Sequence, residues 1–411
     1  MSSPIRTVFL VAVAFVAIHV VDDSFVNPQP GTSAADHLVS GLVPLALLGV
    51  AAAAYVRARR GGVRAVVALL LGGFGLVAAA EGWYYTFEVG PSGDDYTGLL
   101  VLPAALALLG IGAVELWRSR RLDDRRGWRY SRRTLIGVGG VVLTFLVVQP
   151  FLMTYAYTHI ARSEMPEPDL GVAHEEVTFE TGDGVTLEGW WVPSRNGAAV
   201  IAFPGRAQGQ DEARFLAAEG YGVLLFDRRG ESTSGGDPNA LGWDSTQDID
   251  AAVEFVQEQP DVDPDRVGGI GFSVGGEMLL TAAARNDGLK AVVSEGAGIR
   301  SYREVAAVDS AEKWVGWPIW AVTTAGVALF SDSLPPENLK DLVADIAPRP
   351  VFLIHAERGQ GGEVLSEEYA EAAGPTGAAW RTDSSHVGGY QAAPDEYEQR
   401  VTAFFDDALL R

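Results

Sequence analysis

Arg266-Val267-Gly268-Gly269-Ile270-Gly271-Phe272-Ser273-Val274-Gly275-Gly276 is the stretch on which the fold turns. After Arg266, residues 267–271 are small or apolar, as in a strand buried on both faces, and a helical run from Glu277 to Arg285 follows at once. Between them lies a G-x-S-x-G pattern centred on Ser273. A serine on a tight strand-to-helix turn takes a strained backbone that lifts its hydroxyl out of the sheet, and small neighbours are needed to avoid collision. The helix that starts there also points its positive end at developing negative charge. A chain with 48 glycines produces the bare pattern by chance; its place between strand and helix is what gives it weight.

The same alternation extends in both directions. Val177–Glu180 and Val185–Val192 flank Gly182-Asp183-Gly184, a hairpin signal. Ala198–Phe203, Tyr221–Phe226, Leu289–Ser294 and Pro350–His355 read as further buried strands, with helical stretches around 210–219, 246–259 and 276–285. Alternating strands and helices predict a mostly parallel sheet covered on both faces, with its chemistry at the carboxyl ends of the strands.

The N-terminal part reads differently. Five segments (5–21, 38–56, 65–80, 97–117 and 134–155) are apolar enough to span a bilayer, which takes about 20 residues. The expected organisation is a transmembrane domain over 1–160, a linker over 161–171 and a catalytic domain over 172–411. The loops alternate in arginine. Asp22–Asp36 and Glu81–Tyr96 have none, Arg57–Arg64 has four, and Arg118–Arg133 has eight. Basic loops stay in the cytoplasm, so the N-terminus is expected inside and the catalytic domain outside, at the cell membrane. Were the first segment a cleaved signal peptide, the other four would leave the same topology. His19, Asp22, Asp23, Asp36 and His37 lie near the outer face; a metal or proton site is one reading, wet interfacial residues the other.

The net charge of −22 is unevenly divided: the first 160 residues hold 13 arginines against 10 acids, while the remainder holds 18 basic residues against 43 acids. A domain that acidic repels phosphate backbones, which argues against nucleic acid as a partner. With no cysteine in the chain, disulfides, thiolate metal sites and cysteine nucleophiles are excluded.

From about residue 172 onward the chain resembles an α/β-hydrolase. Besides the turn at Ser273, the resemblance rests on Pro204-Gly205-Arg206 after a strand, Phe226-Asp227-Arg228-Arg229-Gly230, Asp263-Pro264-Asp265-Arg266-Val267, and Ser385-His386-Val387-Gly388-Gly389-Tyr390 near the end. It implies a nucleophile, an acid and a histidine in that chain order. Only His355 and His386 follow Ser273. His355 ends an apolar strand, whereas His386 lies in a polar loop, so His386 is the expected base and Ser273 the nucleophile it activates. The resemblance also implies an oxyanion hole from the backbone N–H groups of Val274 and Arg206. The usual His-Gly of that loop is Pro-Gly here.

The acid departs from the family pattern. Where an aspartate is expected after the seventh strand, the sequence reads His355-Ala356-Glu357-Arg358-Gly359. Glu363 follows a glycine-rich loop that can fold back, and its extra methylene extends its reach; it is the preferred candidate, with Glu295, Glu357 and Asp383 as alternatives. Trp314–Phe330 is apolar and falls where the family inserts a lid, about 297–345; a sixth transmembrane helix is the alternative, but it would put Ser273 and His386 on opposite sides of the membrane, so Trp314, Trp317 and Trp320 are expected to wall the acyl site. The resulting expectation is a membrane-anchored serine hydrolase for an ester, thioester or amide of a small-molecule or lipid-like acyl substrate, using no metal or cofactor, with the lipid bilayer as partner. An acyltransferase with the same triad and a non-catalytic binding domain of a membrane sensor are the rivals.

Overall fold

The computed structural model describes residues 4–29, 31–88, 95–119, 126–160, 162, 170–203, 209–307, 313–359 and 362–411. The chain divides into two compact units, Met1–Ala161 with Ser310–Ser333, and Arg162–Asp309 with Leu334–Arg411. Most of the expected linker, residues 161 and 163–169, lies outside the described residues.

The first unit is helical: α1 (Pro4–Val21), α2 (Leu38–Arg57), α3 (Gly61–Glu88), α4 (Asp95–Arg118), α5 (Arg126–Leu143) and α6 (Gln149–Thr158), the last two joined by a π-helical turn over Thr144–Val148. Five segments are long and apolar enough to cross a membrane: Pro4–Val26, Leu38–Arg57, Gly61–Ala80, Tyr96–Arg118 and Gly127–Thr158. Large apolar side chains such as Leu42, Leu135 and Val141 are exposed, a surface compatible with a lipid environment. Small residues let α3 and α4 approach closely: a Cβ on Gly112 would fall 2.6 Å from Leu69, and one on Gly72 2.8 Å from Leu109.

The second unit holds one sheet of eight strands: β1 (Glu175–Glu180), β2 (Thr186–Val192), β3 (Ala199–Phe203), β4 (Gly222–Phe226), β5 (Val267–Phe272), β6 (Ala291–Glu295), β7 (Val351–Arg358) and β8 (Gly377–Ser385). Their order is β1-β2-β4-β3-β5-β6-β7-β8, antiparallel for β1 with β2 and β2 with β4, and parallel from there on. Every residue of β3, β4, β5 and β6 is buried, because helices cover both faces. Those helices are α7 (Gln210–Ala218), α8 (Thr246–Gln257), α9 (Val274–Ala283), α10 (Tyr302–Ala307), then, after α11 (Lys313–Phe330), α12 (Leu339–Ile346), α13 (Ser366–Ala372), α14 (Gly389–Ala392) and α15 (Pro394–Phe405). One face packs Ile201, Leu224 and Leu353 against α8, α9 and α12; the other packs Val200, Ile270 and Phe352 against α7 and α15. The expected fold class, apolar helices followed by an α/β-hydrolase sheet, is the one observed.

α11 departs from the sequence expectation. It was expected within a lid of the hydrolase domain, yet it packs in the helical unit. Gly326 sits directly on Thr154 of α6. The Phe330 ring lies 5.5 Å from Phe151, 5.6 Å from Tyr155 and 5.8 Å from Phe74. Just beyond, the Asp332 carboxylate accepts the backbone N–H groups of Val39 (2.7 Å) and Ser40 (2.9 Å), capping the start of α2. The physical reason is composition: a helix apolar all round finds its partners among other apolar helices. Trp314, Trp317 and Trp320 therefore belong to the helical unit; Trp314 and Trp317 are 78% and 45% exposed there.

The sheet depends on glycine where α9 leaves β5. A Cβ on Gly271 would lie 2.7 Å from both Gly275 O and Gly276 N. Gly271→Ala should destabilise the protein by about 1–3 kcal/mol, read as a lower thermal midpoint of the purified full chain. Gly182→Ala, where an added Cβ meets nothing within 4 Å, should leave the midpoint in place.

Candidate active site

Ser273 stands between β5 and α9 with φ 51° and ψ −124°. Its backbone N–H donates to Glu295 O at the end of β6 (2.8 Å). This left-handed conformation is costly for a residue with a Cβ and persists only where the surroundings enforce it. Val274 heads α9, where backbone N–H groups have no intrahelical acceptor. Pro204, Gly205 and Arg206, the other expected half of the oxyanion hole, lie outside the described residues.

His386 follows β8 in a tight turn closed by Gly388 N–H to Ser385 O (3.0 Å). Its Nε2 is 2.9 Å from Ser273 Oγ. Its Nδ1 bonds Glu363 Oε1. The second Glu363 oxygen accepts the Ala356 backbone N–H (3.0 Å), which fixes the carboxylate against the end of β7. Glu363 is 2% exposed and opens a single 3-10 turn, Glu363–Leu365, behind Gly362, whose φ is 94°. Gly359 explains how the glutamate reaches inward: a Cβ there would lie 2.6–2.8 Å from the Glu363 carboxylate. The missing side chain at the position of the expected aspartate is the space that the set-back glutamate fills.

The three alternative acids are held elsewhere. Glu357 pairs with Arg381, and Asp383 with Arg358, both on the surface. Glu295 is buried, but its partners are Tyr397, whose O–H donates to Oε2 (2.7 Å), and Gly389, whose N–H donates to Oε1 (2.8 Å). Gly389 is three residues past His386, so Glu295 ties down the histidine loop rather than the imidazole. His355 is buried in β7, 3.5 Å from Glu367, with its pKa lowered by burial; it makes no bond to Ser273.

The hydrogen bond to Glu363 raises the pKa of His386 above the ordinary histidine value, with burial opposing. Glu295 is shifted up by burial. Two further buried carboxylates escaped the sequence reading. Glu277, in the first turn of α9, accepts Gly298 N–H (2.9 Å) and is pushed up to about 7 by burial, with Arg300 opposing. Glu212, in the first turn of α7, is pushed up to about 8, again by burial. A signal for Glu277 was there: a lone acid between Gly275-Gly276 and Met278-Leu279-Leu280 has no water to face. Among the described residues no group of three or more His, Asp or Glu is placed to hold a metal ion.

The arrangement can carry a proton from a hydroxyl to an imidazole whose far nitrogen is held by a carboxylate, which is the chemistry of acyl transfer. The chain is similar to several known proteins. The uncharacterized protein YfhR of Escherichia coli (strain K12) is 26% identical over 253 residues, covering 57% of this chain and 81% of its own. A polyketide transferase of Stachybotrys chlorohalonatus is 34% identical over 131 residues, covering 30% of this chain and 44% of its own. Among solved structures, an esterase of Pyrococcus furiosus aligns with a TM-score of 0.48 at 24% identity, over 60% of this chain and 98% of its own. Residues 149–390, more than half of the chain, match the family model of the X-Pro dipeptidyl-peptidases (S15 family), and the chain accordingly belongs to that family of α/β-hydrolase enzymes.

Proposed function

We propose that the protein is a membrane-anchored serine hydrolase cleaving an ester, thioester or amide through an acyl-enzyme on Ser273. The observation that carries this reading is the unbroken chain from Ser273 Oγ through His386 to Glu363, at the carboxyl edge of a parallel sheet. His386 Nε2 takes the Ser273 proton as Oγ attacks the substrate carbonyl. Glu363 holds Nδ1–H and stabilises the imidazolium that forms. The Val274 N–H, at the start of α9, meets the oxyanion. His386 then gives its proton to the leaving group, and the acyl-enzyme is opened by a water that the same imidazole deprotonates.

The substrate class is a small-molecule or lipid-like acyl compound, and the acidic hydrolase half argues against nucleic acid. The bilayer is the natural partner of the five apolar helices. α11 takes the connection between β6 and β7 into the helical unit, and its exposed Trp314 and Trp317 suit a membrane interface. An acyltransferase using the same three residues is the second reading, favoured by the likeness to a polyketide transferase; product analysis with and without alcohol or amine acceptors separates the two.

Glu363→Gln should lower kcat on a p-nitrophenyl ester on the order of a thousandfold or more with little change in KM. Glu357→Gln and Asp383→Asn, whose carboxylates sit on the surface, should turn over almost as the parent does. Near-native turnover of Glu363→Gln would overturn the assignment of the acid.

The pH profile provides an independent check. The base acts as neutral imidazole, and its pKa is raised, so kcat/KM should climb with pH and level off only above the ordinary histidine range. Removing the Glu363 carboxylate removes the main cause of the raise, so in Glu363→Gln the midpoint should move to lower pH. An unmoved midpoint would mean that another group controls the limb.

The arginine alternation supports a hydrolase half outside the cytoplasm. Alkaline phosphatase fused after Arg411 should be active, and fused within 118–133 inactive. The reverse pattern would refute this orientation.

A further inference from the structure

One end of the helical unit carries a cavity of about 440 Å³, within the range of about 300–1,000 Å³ usual for small-ligand sites. It is built where the first turns of α1 and α3 meet the last turns of α2 and α4, and Arg6, Tyr55, Gly61, Arg64, Glu115 and Arg118 line it. Arg64 bonds Glu115 through Nη2 (2.9 Å) and the Ala58 carbonyl through Nη1 (3.2 Å), which neutralises the one acid of the lining. Arg6 and Arg118 make no ion pair among the described residues. Tyr55 is 2% exposed and stacked on Phe9 with ring centroids 3.7 Å apart, so one wall is rigid. A Cβ on Gly61 would come within 3.3 Å of Glu115 Oε2, so the glycine leaves room beside the ion pair.

Three guanidinium groups against one carboxylate leave an excess of two positive charges around a space far larger than one water needs. Arg6 and Arg118 are exposed, so water already solvates their charges, and an anion entering there gains their attraction without displacing a carboxylate partner among the described residues. Guanidinium forks match the paired oxygens of a phosphate ester bidentately. At the ends of membrane-spanning helices the phosphate at hand is a lipid's, and basic pockets between such helices bind anionic headgroups. We propose that this cavity is a phosphate-ester site occupied by the headgroup of an anionic phospholipid, in the leaflet that the arginine-rich loops face. The inference rests on the membrane-spanning reading of the helices and is independent of the hydrolase chemistry.

The test uses the full chain purified in detergent, stripped of lipid, and offered phosphatidylglycerol or phosphatidylcholine, with bound lipid counted by native mass spectrometry. Phosphatidylglycerol should be retained in preference, and Arg6→Gln with Arg118→Gln should weaken its retention about tenfold or more. Arg57→Gln with Arg59→Gln removes the same charge from exposed positions outside the lining and should leave retention unchanged. Retention through a wash with excess inorganic phosphate supports the lipid as occupant; release by that wash supports the same site with a soluble phosphate in it. Equal retention of the two lipids, or equal loss in both double variants, overturns the proposal. A purified chain that binds neither lipid while the fusion reporters still show the expected topology refutes the site alone, not the membrane reading. Size-exclusion profiles matching the parent's establish that the variants are folded.

Discussion

The backbone at Ser273 is the constraint from which the rest of the hydrolase unit follows. With φ 51° and ψ −124°, it sits where a side chain costs about 1–3 kcal/mol of strain. The surroundings hold it there. β5 is interior to the sheet, glycines at 271 and 276 let α9 fold back onto it, and the Ser273 N–H is fixed to Glu295 O. Relaxing any of these would let the hydroxyl drop toward the sheet and away from the imidazole.

Glu295 joins both sides of the site. Its backbone oxygen receives the Ser273 N–H, while its carboxylate receives Gly389 N–H and Tyr397 O–H beyond His386. The turns that carry Ser273 and His386, more than a hundred residues apart in sequence, are thus referenced to one residue at the end of β6. Glu363 is set with equal economy: one of its oxygens goes to His386 and the other to the end of β7, so the imidazole inherits the rigidity of the sheet.

Much of this was legible in the sequence, for reasons that differ by element. The buried strands announced themselves as short apolar runs, and the turn at Ser273 by its glycines, because sterics permit few alternatives there. His386 could be preferred over His355 because a polar loop and an apolar strand offer an imidazole different surroundings. Glu363 was named as the candidate acid, but not the reason it reaches the imidazole, since the space left by Gly359 exists only once the loop has folded. The all-round apolar composition of α11 already favours apolar helices as its partners, and the likeness to a lid outweighs that signal on the sequence alone; its individual partners, Thr154 and Phe151, are set by tertiary packing. The burial of Glu277 has a local signal in its small and apolar neighbours, whereas that of Glu212 is decided by how α7 packs and has none.

The central claim is that Ser273 is the residue that becomes acylated. A fluorophosphonate probe forms a stable adduct only with a serine whose hydroxyl is activated, so peptide mass mapping after labelling of the full chain reads the claim directly. The adduct is expected on the peptide carrying Ser273, one per chain, and absent from Ser273→Ala. An adduct on a different serine, or labelling that survives in Ser273→Ala, would contradict it.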